Sequence, residues 1–192
     1  MTALAIPDVR LQRSWAETVT EFGSETMHGS GAWHGDGGPL DLTPAGCRAF
    51  VAMLLQWADP SFELPADRVH CDYYWITDGS GADEEVVGFL ALRHALTPWL
   101  LEEGGHIGYS VRPSRRGQGH AGHALALAVR RAAELGLDRV LLTCDEPNVA
   151  SARTIERNGG VYEDTRHGKR RYWIDTGLSG SPARDGRTSA RA

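Results

Sequence analysis

The sequence predicts one α/β domain, on three observations. A chain of 192 residues has the length of one domain. Its 41% hydrophobic and 23% charged residues suit a buried core inside a solvated surface. Finally, the apolar period changes along the chain, from helical spacing near the start to strand-like runs in the middle, and then to strands alternating with helices.

Taken in order, Val9 to Phe22 carries Leu11, Trp15, Val19 and Phe22 at helical spacing, and Pro44 to Ala58 repeats the pattern with Phe50, Met53, Leu54 and Trp57. Six glycines from Gly23 to Gly38 separate these helices and discourage regular structure. That stretch reads either as a passive connection or as a loop covering a substrate. VHCDYYWITDG and EVVGFLALRH are β-prone runs joined by the turn residues GSGADE, a hairpin. A short segment around Trp99 to Leu101 leads to the strand GGHIGYSV. Ala121 to Leu135 reads as a helix stopped by Gly136, and DRVLLTC as a buried strand. NVASARTIERNGG reads as a helix with Asn148 as N-cap and Gly159 as its stop. VYEDT and RRYWIDT are two more strands. The expected division is a domain over 1–176, with a helical N-terminal part to 68 and a core over 69–176. The tail, 177–192, has one large apolar residue and is expected to be disordered.

Composition narrows the function. A net charge of −5 gives no global attraction for nucleic acid. Three widely spaced cysteines without a C-x-x-C pair fit reduced thiols and argue against a disulfide framework or a zinc site. No apolar run is long enough to span a membrane, and MTALAIPDVRLQ lacks signal-peptide features, so a cytoplasmic protein is expected.

Chemistry concentrates in RRGQGHAGHALALAVRRAAELG, Arg115 to Gly136, where a basic Gly-rich turn follows a strand and runs into a helix. Gly117 and Gly119 permit a tight turn and close backbone approach, while the unpaired N–H groups and dipole of the first helical turn attract an anion such as pyrophosphate. Gly117, Gly119 and Gly122 also satisfy G-x-G-x-x-G, with Asp145 ending the next strand, which makes an NAD(P)-dependent oxidoreductase the rival reading. Against it, RPSRR separates Val111 from Gly117, and the chain after Gly122 is too short for a doubly wound nucleotide domain.

VRPSRRGQGHA resembles the acetyl-coenzyme A signature of the GNAT N-acetyltransferases, Q/R-x-x-G-x-G/A, with Arg116, Gly119 and Ala121 in its defined positions. NVASARTIERNGG resembles the superfamily's second cofactor segment. Together with LRHALTPWLLEEGGHIGYSV and RYWI, these look like a subgroup of predicted acetyltransferases, over about Tyr74 to Ile174. The resemblance implies a mixed sheet splayed between its fourth and fifth strands, where the strand ending at Val111 parts from the one ending at Cys144, flanked by helices. It implies that acetyl-CoA is the cosubstrate, with no metal. Main-chain groups around Val111 would hold the pantetheine arm, and N–H groups of Arg116, Gly117, Gln118, Gly119, His120 and Ala121 the pyrophosphate. Asn148 and Ser151 would touch the pantetheine, although Asn148 also has a role in capping its own helix.

The reaction so implied is acyl transfer, acetyl by preference, to a primary amine of a small molecule, with a base for the ammonium and an acid for the thiolate. Ile155 stands where the family often carries a tyrosine acid. Candidate catalytic residues are therefore His106, Glu103 and Tyr109, with His106 near the level of the family's usual carboxylate base; strand alternation puts it and Tyr109 on opposite faces. His120 and His123 lack a third metal ligand, Arg93 and His94 end a strand with an open role, and Cys144 reads as packing. The run Arg166 to Arg171 reads as a solvated hairpin, or as a patch for tRNA if an aminoacyl-tRNA were the acyl donor. A homodimer is compatible with all of this.

Overall fold

A computed structural model describes residues 1–34 and 38–178. The predicted disorder of the tail beyond Leu178 lies outside the described residues. A seven-stranded sheet has the order β1-β2-β3-β4-β5-β7-β6. The strands are β1 (Ala3–Ala5), β2 (Cys71–Asp78), β3 (Glu85–Arg93), β4 (Ile107–Val111), β5 (Arg139–Asp145), β6 (Val161–Arg166) and β7 (Lys169–Asp175). Every neighbouring pair is antiparallel except β4 and β5, which run parallel. A doubly wound dinucleotide fold needs successive parallel strands. With one parallel pair, the sheet overturns the oxidoreductase alternative.

Helices cover both faces. α1 (Gln12–Phe22) and α2 (Pro44–Ala58) lie on one, where Trp15, Phe22, Phe50 and Leu54 pack on Tyr73, Trp75 and Phe89. Trp15 stacks on Trp75 with ring centroids 6.1 Å apart. α3 (His120–Glu134) and α4 (Val149–Arg157) cover the other, burying Leu125 and Ile155 against Leu90, Leu92 and Tyr172. Because both faces of β3 are covered, its residues from Val86 to Leu92 are all buried, which explains a continuous apolar run in place of alternation. α2 starts where Pro44 fixes the first helical φ and the Thr43 hydroxyl accepts the Gly46 N–H.

The N-terminal part, read as helical, also contributes a strand: Leu4 pairs with Ile76, making β1 an edge of the sheet. Leu100–Gly104, at the segment left unassigned around Trp99, forms a single π-helical turn before β4. Among the described residues no helix is long and apolar enough to cross a membrane.

Candidate active site

The sheet is broken where its two halves meet. β4 and β5 register only at Ile107 and Leu142. Just before this, the His106 N–H donates to Leu141 O (2.7 Å) and the Leu141 N–H donates to His106 Nδ1 (2.8 Å). Gly105 makes the approach possible, with φ +64° and a backbone so close that a Cβ would lie 2.5 Å from Leu141 O. Beyond Ile107 the strands part. The Arg112 N–H bonds to Val87 O on β3, so by strand alternation the peptide groups of Tyr109 and Val111 face the gap.

Across the gap, the Tyr109 hydroxyl lies 3.0 Å from Ser151 Oγ on α4. Burial pushes the Tyr109 phenol up to about 12, so it remains a proton donor at neutral pH. Asn148 caps α4, its side-chain oxygen accepting the Ser151 N–H at 3.0 Å. Ile155 is wholly buried in the core and offers the gap nothing.

On the α3 face, the Gly-rich turn presents its main chain. Gly117 and Gly119 take φ +76° and +88°, and Gly119 is the N-cap of α3. Among the described residues the main-chain N–H groups from Gly117 to Gly122 bond to no protein acceptor, and the first such bond is from the His123 N–H to Gly119 O. The side chains behave otherwise than the sequence suggests. Arg116 donates to Val111 O (2.9 Å) and Glu25 (2.6 Å), and Arg115 pairs with Glu85, so both guanidiniums are already engaged by carboxylates of the protein. The Gln118 amide donates to Ser114 O. His120, only 5% exposed, turns inward, with Nδ1 2.9 Å from the Thr2 hydroxyl. Of the contacts expected of His120 with phosphate, only its main-chain N–H remains available.

On the opposite, α2 face, the gap opens into a cleft of about 880 Å³ that runs from Thr143, Cys144 and Asp145 past Tyr109 to Trp57 and Arg68. The glycine-rich stretch supplies its cover: Thr26 to Gly29 and Trp33 line the cleft, and Gly29 lies on β4 so closely that a Cβ would meet Gly108 O at 2.3 Å. The stretch is thus packed on the sheet over the cleft. Ser110 Oγ donates to His28 O (2.8 Å) and holds the same stretch down.

The three predicted proton carriers are separated by this geometry. Glu103 lines the cleft, and among the described residues its carboxylate has no hydrogen-bond or ion-pair partner, while its main-chain oxygen accepts from Thr143 Oγ1. His106 does not line the cleft. It is 6% exposed, packs edge-on against Trp173, and burial together with the Arg93 charge lowers its pKa to about 4. With Nδ1 occupied by the Leu141 N–H, the neutral ring carries its proton on Nε2 and has no lone pair to offer. That hydrogen bond argues against the expected role as base.

His28 is a residue that sequence reasoning missed. It stands at the rim of the cleft, and its pKa is lowered by desolvation and by Lys169 and Arg93, against an opposing pull from Asp145. Nothing local marks it, since only the fold of its loop brings it near β5. Cys144 lines the gap with its thiol pKa raised by burial, consistent with packing. His94 lies elsewhere, 2.9 Å from Asp72, a carboxylate that also accepts from Arg131 and Tyr74. The basic run is largely neutralised: Arg166 pairs with Glu102 and Asp164, Lys169 with Asp145, and Arg171, 2% exposed, with Glu163 and Asp164. Among the described residues no His/Cys/Asp/Glu cluster could hold a metal.

A mixed sheet prised open between two parallel strands, with free main-chain N–H groups at the start of α3 and a walled cleft on the α2 face, is the frame on which the comparisons with known proteins bear. Residues 11–161 match the family described as the acetyltransferase (GNAT) domain. The chain belongs to the GNAT acetyltransferase family. Solved structures share the fold. The ribosomal-protein-S5-alanine acetyltransferase of Vibrio fischeri is 14% identical, with 92% of this chain and 94% of that one covered and a TM-score of 0.65. Mycobacterium smegmatis RimJ, in complex with CoA-disulfide, is 18% identical over 91% and 87%, with a TM-score of 0.62. The microcin C7 self-immunity acetyltransferase MccE, in complex with acetyl-CoA and AMP, is 14% identical over 91% and 92%, with a TM-score of 0.62. No curated protein matches the sequence.

Proposed function

We propose that the protein transfers an acetyl group from acetyl-CoA to the primary amine of a small molecule, by direct attack in a ternary complex. The observation that carries this is the gap between β4 and β5, which joins the unpaired N–H groups at the start of α3 to the walled cleft on the other face. Those N–H groups, from Gly117 to Ala121, suit the pyrophosphate, and the helix dipole adds to them. The peptide group of Tyr109 and the N–H of Val111, whose carbonyl is held by Arg116, suit an extended amide-bearing arm, as an added strand would be held. Structural relatives in complex with acetyl-CoA or CoA-disulfide support the same donor.

The residues divide the proton work between them. Glu103 takes the proton of the acceptor ammonium, directly or through water, so that the amine lone pair is free to form the new C–N bond. Tyr109, kept protonated by its burial and oriented by Ser151, gives a proton to the departing thiolate as the C–S bond breaks. His106 positions β4 against β5 through Leu141 and stays neutral. Asn148 fixes the first turn of α4, and with it Ser151. The three-sided enclosure of the cleft by the Gly29 loop, the Leu100–Gly104 turn and the end of β5 favours a small acceptor over a folded protein surface.

The test is a panel of amines with acetyl-CoA, following thiol release and confirming the product by mass. Glu103→Gln is expected to lower kcat about a hundredfold at neutral pH, with the loss shrinking as rising pH supplies free amine. Tyr109→Phe is expected to lower kcat without that recovery. Full activity in both variants would remove the assignment.

A further inference from the structure

We propose that the acceptor carries, besides its amine, an anionic carboxylate or phosphate seated on Arg93 and a flat aromatic body held by Trp33, Trp57 and Trp99. This rests on the acyl-transfer reading above and names the substrate class of the same cleft.

Arg93 is the first support. It ends β3 and reaches the cleft floor, where Nη1 donates to Gly104 O (3.2 Å) and Gly105 O (3.1 Å). No carboxylate lies within ion-pair distance of it among the described residues, whereas Arg68, the other arginine lining the cleft, pairs with Asp67. Its charge is felt by His28, Cys71, Tyr73 and His106 around it. A partly buried guanidinium with only carbonyl partners on one nitrogen keeps a face of its fork for an oxyanion.

The aromatic residues are the second, independent support. Trp33 and Trp99 stand on the loop and the turn that wall the cleft, 48% and 61% exposed, and Trp57 closes it from the end of α2. The exposed apolar surface of Trp99, and the part of Trp33 that is exposed, would be removed from water by a flat ring in the cleft. The Arg68 guanidinium lies over Trp33, 5.1 Å from the ring centroid, and its charge is met by Asp67 at 3.6 Å. Gly108 lies between these groups and the gap, with Arg93 Nη1 only 3.8 Å from where its Cβ would be. An amine placed near Gly108 would therefore have the anion site beside it and the indoles behind.

The experiment compares phenylalanine, phenethylamine, alanine and phosphoethanolamine as acceptors, with acetyl-CoA binding measured separately by calorimetry. Phenylalanine is expected to exceed both phenethylamine, which lacks the anion, and alanine, which lacks the ring, by at least tenfold in kcat/KM. Phosphoethanolamine ahead of alanine would identify phosphate as the preferred anion, and the reverse would identify carboxylate. Arg93→Met should lower kcat/KM for phenylalanine at least tenfold more than for phenethylamine, and an equal loss for both would count against the anion seat. Because Arg93 also holds the Leu100–Gly104 turn, Gly108→Ala is the second variant. Its Cβ meets only ordinary contacts at 3.7 Å and beyond, so the protein should fold normally and show a raised acceptor KM with acetyl-CoA affinity intact. Phenethylamine equal to or better than phenylalanine would overturn the inference and leave acyl transfer standing. Failure to bind acetyl-CoA would instead overturn the reading beneath it.

Discussion

Replacing His106 separates its structural role from a catalytic one. The ring is 6% exposed and Nδ1 accepts the buried Leu141 N–H at 2.8 Å, with Trp173 packed edge-on against it. His106→Ala would strand that donor, at about 1–3 kcal/mol, and lose the packing of a buried ring, at about 1–2 kcal/mol more. A loss of about 2–5 kcal/mol is expected at pH 7. The wild type should also show a pH dependence that the variant lacks. Its pKa is about 4 when folded, against the ordinary 6.5 of a solvated imidazole. Between these values the unfolded chain binds a proton that the native state refuses, so stability rises with pH across that window. It is fully present above pH 6.5 and lost as pH falls toward 4, a change of about 3 kcal/mol. Urea unfolding at pH 4.5, 5.5 and 7 would measure this for the wild type, His106→Ala and His106→Asn. Asparagine can still accept from Leu141 but does not titrate, so it should recover part of the stability at pH 7 while flattening the slope. Variants with unaltered stability and slope, and with turnover reduced a hundredfold, would refute the reasoning and return His106 to the role of base.

Other perturbations probe the two mouths of the gap. Gly119→Val should weaken acetyl-CoA binding tenfold or more by calorimetry, because a branched residue at φ +88° costs at least about 1–2 kcal/mol and crowds the N–H groups. His123 Nδ1, at 3.7 Å, is the nearest obstacle to the new Cβ, so the rest of the fold should tolerate the change. Gly29→Ala should raise the acceptor KM with acetyl-CoA affinity intact. Its Cβ would lie 2.3 Å from Gly108 O, so the loop must lift from β4, and faster proteolytic cleavage of that loop would report it.

Local chemistry made most of the frame legible in the sequence. Pro44 to Ala58 is helical over the span its amphipathic pattern predicts, and Asn148 caps α4 as its residue type suggests. GGHIGYSV and DRVLLTC are adjacent parallel strands, as the family resemblance implies. What escaped depended on distant partners. Ala3–Ala5 is too short to show a period and becomes a strand only beside β2. The side chain of Arg116 looks like a phosphate ligand until Glu25, 91 residues away, is seen against it. His106 looks like a base because it precedes a cofactor strand, and the bond that occupies its lone pair comes from Leu141, 35 residues on. His28 carries no sequence mark because its position is set by the path of a glycine-rich loop across β4.

The parting of β4 from β5 leaves two strand edges without partners in the middle of the molecule. On an outer rim such edges invite other chains to pair and to aggregate. Here they are roofed by the loop at Gly29 and bridged by Tyr109 and Ser151, which narrows the way in for a second polypeptide strand. The pantetheine arm of the proposed donor is thin, unbranched and carries peptide-like bonds. The fold thus keeps the adhesiveness of an open edge while hiding it from other proteins, and the same narrowness acts as a sieve on what may enter.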